Sequence, residues 1–449
     1  MPMYDVDLTK GPILTHMRRI AIPASTGMLF NTLFNVVDTY YAGKLNTDAL
    51  AGMTLSFPIF FIIIALSSGI GNGTTALSSI SIGEKDRETY HFLVKNAALL
   101  GVSVSVILTV FAPFYIPLLF SLSGAEGSAK TQGIEYCLTI FTGAIFFILN
   151  AVINAQLSAQ GNTKPYRNFL IIGFILNLIL DPLFIFGYFK LGTMGVALAT
   201  VLIQIVGTVY LSLKLFKSPT FEMPAFLKAP FRADTIIQLL KQGIPATLAM
   251  LTIALGVFII NYYILIYSDS TTVAAYGAAM RVEQLILLPA LGLNIATLTL
   301  SGQNYGANLI YRVVETRNTA LFIGLCIMIP GAFIVYAISP FLISLLNHSP
   351  EVIAQGSYYL RIEVFAFPTY VILNVLIAGL QGIKKPLFGV FIGITRQFVM
   401  PVFLFYLFGT LLGFGIRGVW YGIVVNNWIA VLITALYVKY AYSKLKAKI

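Results

Sequence analysis

Ile22-Pro23-Ala24-Ser25-Thr26-Gly27-Met28-Leu29-Phe30-Asn31-Thr32-Leu33-Phe34-Asn35-Val36-Val37-Asp38-Thr39-Tyr40-Tyr41-Ala42-Gly43 is the stretch that decides the fold. It is apolar and, read from about Met17, longer than the roughly 20 residues a helix needs to cross a bilayer. It nevertheless carries an acid. Asn31, Asn35 and Asp38 recur at i, i+4 and i+7, so a helix presents them as one polar stripe. A charged side chain at membrane depth costs from about 2.5 to above 10 kcal/mol, so a chain that keeps Asp38 there has a use for it. That use is either a pairing with a neighbouring helix or an ion or proton site in a transporter.

The rest of the chain extends this reading. Of its 449 residues 58% are hydrophobic and only 10% charged, and mean hydropathy is +0.87. A soluble domain carries about 25% charged residues, so this is a polytopic, all-α membrane protein. The net charge of +11 does not point to nucleic acid, because the basic residues sit in short loops between apolar runs. Cys137 and Cys326 lie in such runs and imply no disulfide framework. No cleavable signal peptide is expected, since the first apolar run leads straight into a full span.

Twelve spans are expected, at about 17–42, 48–81, 92–118, 133–160, 166–188, 193–215, 235–267, 273–303, 312–341, 352–382, 387–411 and 416–440. Basic clusters such as Arg18/Arg19, Lys85/Arg87/Lys95, Lys164/Arg167, Lys384/Lys385 and Lys439/Lys444/Lys446/Lys448 fall on one side. Only Lys44, Lys130, Lys190 and Arg417 fall on the other, which places both termini in the cytoplasm.

The halves repeat. Ile22-Pro23-Ala24 recurs as Ile244-Pro245-Ala246, Tyr40-Tyr41 as Tyr262-Tyr263, and Gln160-Gly161 as Gln381-Gly382. Gly195-Val196 recurs as Gly418-Val419, and every offset is about 222, the mark of a duplicated six-helix unit. The expected organisation is therefore an N-lobe over 1–216, a proline-rich cytoplasmic linker over 217–234 and a C-lobe over 235–449. The two pseudo-symmetric six-helix lobes are related by an axis along the membrane normal.

Polar residues within the spans locate the candidate site. Asp38 lies near the outer end of the first span, and Asn177 and Asp181, at i and i+4, near the outer end of the fifth. Thr200 lies about two turns into the sixth, at similar depth. Asn150 and Asn154, on the fourth span, are candidates to face the same space as Asn31 and Asn35. Two carboxylates at one depth in low dielectric repel each other when both are ionised, so such a pair can take up a proton outside and release it inside. The same oxygens, of Asp38, Asn177, Asp181 and Thr200, are hard ligands suited to Na⁺. The alternative for the amides and the hydroxyl is interhelical hydrogen bonding alone. Under the repeat Asp38 falls on Ile260, so the acid is confined to one half. In the second half Arg281, Glu283, Arg361, Glu363 and Arg396 are expected to form cross-helix salt bridges, with a substrate or gating role as the alternative. Pro23 and Pro245 each permit a bend, either static or one coupled to the charge of Asp38.

These features resemble the multidrug and toxic compound extrusion (MATE) transporters. The resemblance rests on Ile22-Pro23-Ala24, Val37-Asp38-Thr39, Gln160-Gly161-Asn162, Asn177-x3-Asp181-Pro182 and Gly195-Val196-Ala197. It is continued by Arg281-x-Glu283 with Pro289 and Gly292, and by Gln303-Asn304-Tyr305-Gly306-Ala307. It implies antiport of H⁺ or Na⁺ against amphipathic, cationic organic compounds, by alternating access and without a bound cofactor. It also implies a cation-coupling set of Asp38, Asp181, Asn177, Thr200 and Asn154 in the manner of the DinF-like branch, a substrate cleft including Asn31, Asn35 and Asn150, and a hinge at Pro23. Helix seven has no acid in its membrane part, unlike the NorM-like branch. A monomer in a bacterial or archaeal plasma membrane, acting on small organic molecules and not nucleic acid, is expected. The alternative is a flippase for lipid-linked precursors. No metal-spaced His or Cys cluster or nucleophile motif suggests an enzyme.

Overall fold

The computed structural model describes residues 6–187 and 190–446. Lys448 of the basic tail and position 188, the expected end of the fifth span, lie outside them. Among the described residues the regular structure is entirely helical.

The first repeat contains α1 (Ile13–Leu45), α2 (Thr47–Glu84), α3 (Arg87–Leu122), α4 (Gly127–Thr142), α5 (Ala144–Ala159), α6 (Lys164–Ile185) and α7 (Gly192–Phe216). A short α8 (Met223–Lys228) follows. The second repeat contains α9 (Ala233–Tyr267), α10 (Ser270–Gly306), α11 (Ile310–Ser344), α12 (Pro350–Glu363), α13 (Phe367–Gly382), α14 (Leu387–Ile394), α15 (Met400–Phe405) and α16 (Ile416–Lys446). π-helical turns at Thr395–Val399 and Tyr406–Leu411 flank α15.

Among the described residues ten helices, counting 387–411 as one, are long and apolar enough to cross a membrane, and twelve if each of two bent pairs is one span. The bent pairs are α4 with α5, at 48°, and α12 with α13, at 53°. They occupy the expected fourth and tenth spans, equivalent positions of the two repeats. The first break falls at Gly143, where a Cβ would strike the Val201 side chain of α7. Tight packing against α7 thus requires glycine there. Elsewhere the chain turns sharply between helices by capping. Asn46, Asp86 and Asp269 accept hydrogen bonds from the backbone N–H of Ala49, Thr89 and Thr272 at 2.6, 2.9 and 2.9 Å.

The chain forms two compact units. One is built on Thr26–Thr247, the other on Leu8–Ser25 with the chain from Leu248 onward. Both divisions run through helices, two residues beyond Pro23 in α1 and two beyond Pro245 in α9. Local contacts explain the membership of each leading segment. In the second unit, buried Arg312 donates to the carbonyls of Leu8 and Gly11 at 3.3 and 3.0 Å and to Asn304 Oδ1 at 2.8 Å, holding the segment that enters α1. In the first unit, the proline-rich segment after α7 lies along α3. Lys95 Nζ donates to the Leu227 and Ala229 carbonyls at 2.9 and 2.5 Å, and Asn96 Oδ1 accepts from Arg232 N at 3.1 Å. His91 Nε2 accepts from Glu222 N at 2.9 Å, and Arg87 pairs with the Glu222 carboxylate.

Candidate functional site

In the first unit, α1 and α6 approach closely at Gly27, where a Cβ would lie 3.3 Å from Arg167 Cα and 3.2 Å from a Leu170 methyl. α6 and α7 are equally close at Gly195, where a Cβ would meet the Phe184 backbone at 2.9 Å. Glycine at these contacts lets polar side chains from three helices converge. Asn177 Nδ2 donates to Asp38 Oδ1 at 2.8 Å. The side chains of Asp181 and Thr200 also lie against the Asp38 carboxyl. All four are buried, Asp38 at 5% exposure, Thr200 at 3%, and Asn177 and Asp181 at 0%.

The donor supply is short. Thr200 Oγ1 donates to the Val196 carbonyl of its own helix at 3.0 Å. Both oxygens of Asp181 and Oδ1 of Asn177 are buried with no hydrogen-bond partner. Two carboxylates with one amide donor between them are under-compensated in a low-dielectric site. The arrangement suits a proton shared between the carboxyls, or a small cation bound by hard oxygens. Tyr136 of α4, also buried, is close enough to interact electrostatically with both acids. The sequence carries no signal for it, since a tyrosine in an apolar span is ordinary packing material.

The remaining candidates lie differently. Asn150 donates to Gln204 Oε1 and to the Gln204 carbonyl, at 2.7 and 3.0 Å. Asn154, half-buried, accepts from Ser158 at 3.3 Å. Asn31 and Asn35 are exposed while Asp38 is buried, and Asn35 Nδ2 donates to the Asn31 carbonyl at 2.8 Å. Pro23 is buried within α1.

The second unit holds its own pair of buried acids, Glu283 of α10 and Glu363 at the end of α12. The expected cross-helix salt bridges are not formed. Among the described residues neither glutamate has an ion pair; Arg281 and Arg361 are exposed, and Arg361 lies 5.8 Å over the Tyr336 ring. Arg281 and Arg361 stand two residues before the glutamates, on other faces of their helices, and those faces are exposed, so neither arginine reaches a buried acid of its own or the other helix. Tyrosines surround the acids instead. Tyr370 donates to Glu363, the Tyr359 hydroxyl lies against Glu283, and Tyr359 packs 4.6 Å from Trp420, which stacks on Tyr276 at 6.0 Å. Arg396, in a π-helical turn, interacts electrostatically with Glu363.

Residues 23–183 and 245–407 both match the model of the MatE family, the matches beginning at Pro23 and Pro245. A probable multidrug resistance protein NorM of Thermotoga maritima is 25% identical over 414 residues, 91% of this chain and 88% of its own length. The FAD transporter of Shewanella oneidensis is 27% identical over 400 residues, 87% of this chain and 86% of its own. A solved structure, the outward-facing conformation of a multidrug resistance MATE family transporter of the MOP superfamily, is similar with a TM-score of 0.92 at 27% identity, covering 98% of each chain.

Proposed function

The chain belongs to the MatE family of membrane transporters, and on that premise we propose that it is an antiporter driven by H⁺ or Na⁺ binding at Asp38 and Asp181. Its cargo is an amphipathic, cationic organic compound, exported across the cell membrane with both termini cytoplasmic. The observation that carries this reading is the donor deficit at the acid pair: both Asp181 oxygens are buried without a partner beside the Asp38 carboxyl. A positive ion removes the repulsion, and its departure restores it. The conformation that binds the ion tightly is therefore favoured when the site is loaded, and the other when it is empty. α1 links the site to a proline that permits a bend, because Asp38 and Pro23 share that helix and the division between units falls beside Pro23. Neutralising the acids outside releases the cargo and lets α1 bend; losing the ion inside restores binding.

The test is efflux from proteoliposomes of purified protein under separately imposed pH and Na⁺ gradients. An organic cation serves as one substrate and a flavin nucleotide as another, the second because of the Shewanella relative. One gradient is expected to drive export of the organic cation in the wild type and to fail with Asp38→Asn or Asp181→Asn. Transport left intact by both substitutions overturns the mechanism. Flavin export without organic-cation export overturns the substrate class and leaves the coupling site standing.

A further inference from the structure

We infer that the second unit carries a binding site for an anionic phospholipid in the groove between α11, α13 and α16, apart from any transport site. The groove has a volume of about 500 Å³. Its floor is apolar, built by Leu321, Ile372, Leu376 and Val438, and it is rimmed by Arg317 and Lys439. This is the layout a phospholipid needs, a channel for an acyl chain ending at fixed positive charge.

The charge at the rim is uncompensated. Among the described residues neither Arg317 nor Lys439 has a carboxylate partner. Arg317 donates Nε and Nη2 to Asn318 Oδ1 at 3.0 and 2.8 Å, which leaves Nη1 without a protein acceptor. Its guanidinium lies 5.1 Å over the ring of Tyr442, a buried residue, so the cation is held at the rim rather than swinging in water. The nearest acid in sequence, Glu315, is exposed and two residues away, hence on another face of α11. The rim lies at the basic ends of its helices, where an apolar transmembrane surface meets the headgroup layer. Basic pockets between transmembrane helices at that level select anionic headgroups, and two cations contribute about 30-fold in affinity together.

Full-length protein in detergent, titrated with phosphatidylglycerol and with phosphatidylcholine and read by native mass spectrometry, tests this. Retained phosphatidylglycerol is expected to exceed retained phosphatidylcholine by about 30-fold in affinity. The preference is expected to collapse in the Arg317→Gln/Lys439→Gln double variant and survive in a Lys164→Gln/Lys241→Gln control. Ala435→Trp, which narrows the groove and spares both cations, is expected to weaken lipid binding while melting behaviour stays that of the wild type. Millimolar inorganic phosphate is expected not to displace the lipid; displacement would mean an anion site with no acyl-chain role and would overturn the proposal. Equal binding of the two lipids by the wild type, or a preference kept by the double variant, would overturn it too.

Discussion

Each compact unit buries two carboxyl groups from different helices, but the materials around them differ. Among the described residues, Asp38 and Asp181 have around them an amide, a hydroxyl already committed to its own helix and the buried Tyr136 within electrostatic reach, and no basic side chain paired to either. Around Glu283 and Glu363 are tyrosine hydroxyls, a tryptophan and, within electrostatic reach, Arg396. The second pair is better supplied, since a phenol donor and a guanidinium both favour a buried carboxylate, although Glu283 Oε1 and Glu363 Oε2 are themselves buried without a hydrogen-bond partner. The first is not, and what it lacks is positive charge. Under the proposed mechanism a site that must gain and lose an ion has to be left incomplete by the protein, and this difference is the proposal's ground for placing coupling at the first pair.

The largest effect that could break this contrast is on transport. Asp181→Asn removes a buried carboxylate that no donor satisfies, so it is expected to leave stability unchanged or raised while coupled efflux falls at least about tenfold. Asp38→Asn is expected to do the same to efflux. Glu363→Gln and Glu283→Gln, assayed in the same liposomes, should retain the response to the driving gradient. If the glutamate variants lose coupling and the aspartate variants keep it, the assignment of the two pairs is reversed.

On stability the order should invert. Tyr370→Phe deprives fully buried Glu363 of its phenol donor and is expected to cost about 1–3 kcal/mol. Thermal melting in detergent measures it, with Asp181→Asn alongside. A melting temperature lowered by Tyr370→Phe and not by Asp181→Asn sharpens the contrast; equal effects would mean that both pairs are structural.

Gly27 gives a smaller and more local handle. A valine there would press on Leu170 and the Arg167 backbone, overpacking the α1–α6 contact at a cost of about 1–3 kcal/mol before relaxation. Relaxation moves α1 away from α6 and lengthens the Asn177–Asp38 bond. Coupled efflux is expected to drop severalfold, and Gly27→Ala, a smaller intrusion, to drop it less. Wild-type efflux in both variants would show that the site tolerates loosening of this contact.

What was legible in the sequence follows the same physics. The spans were, because the run of apolar residues needed to cross hydrocarbon is long and rarely accidental. Asp38, Asn177 and Asp181 stood out because polar groups in such runs are costly, and helical spacing with span direction set their depth. The α4–α5 and α12–α13 bends were not legible, because a glycine at 143 or the run 364–366 looks like any other part of an apolar span; that Gly143 meets Val201 of α7 depends on packing the sequence does not display. The tyrosine surround of Glu283 and Glu363 was equally hidden. A tyrosine is compatible with lipid, core or interface, and the acids suggested cross-helix salt bridges, whereas Arg281 and Arg361 are exposed and the acids are not. Nor could the exchange of leading segments be read, since it depends on Arg312 reaching the Leu8 carbonyl and Lys95 the Ala229 carbonyl across wide sequence separations.

The smallest expected effect lies outside the membrane, where each unit has one aspartate whose charge the protein fully provides for. At Asp86 burial raises the pKa, but hydrogen bonds from the Thr89 side chain and backbone outweigh it and hold the carboxyl below its ordinary value. At Asp269 the Thr272 backbone N–H and then its hydroxyl lower it. A carboxyl depressed on folding contributes stability above its unfolded pKa of about 3.9 and loses that contribution as pH falls through the folded value. Melting temperature is thus expected to be insensitive to these groups above pH of about 5 and to fall with acid below about 4. Asp86→Asn and Asp269→Asn should flatten the acid limb, because asparagine caps a helix nearly as well without titrating. Both caps are rich in donors, so both should behave alike; a cap variant that also shifted the driving-ion dependence of efflux would mean that the contrast between provided and unprovided carboxylates does not locate coupling.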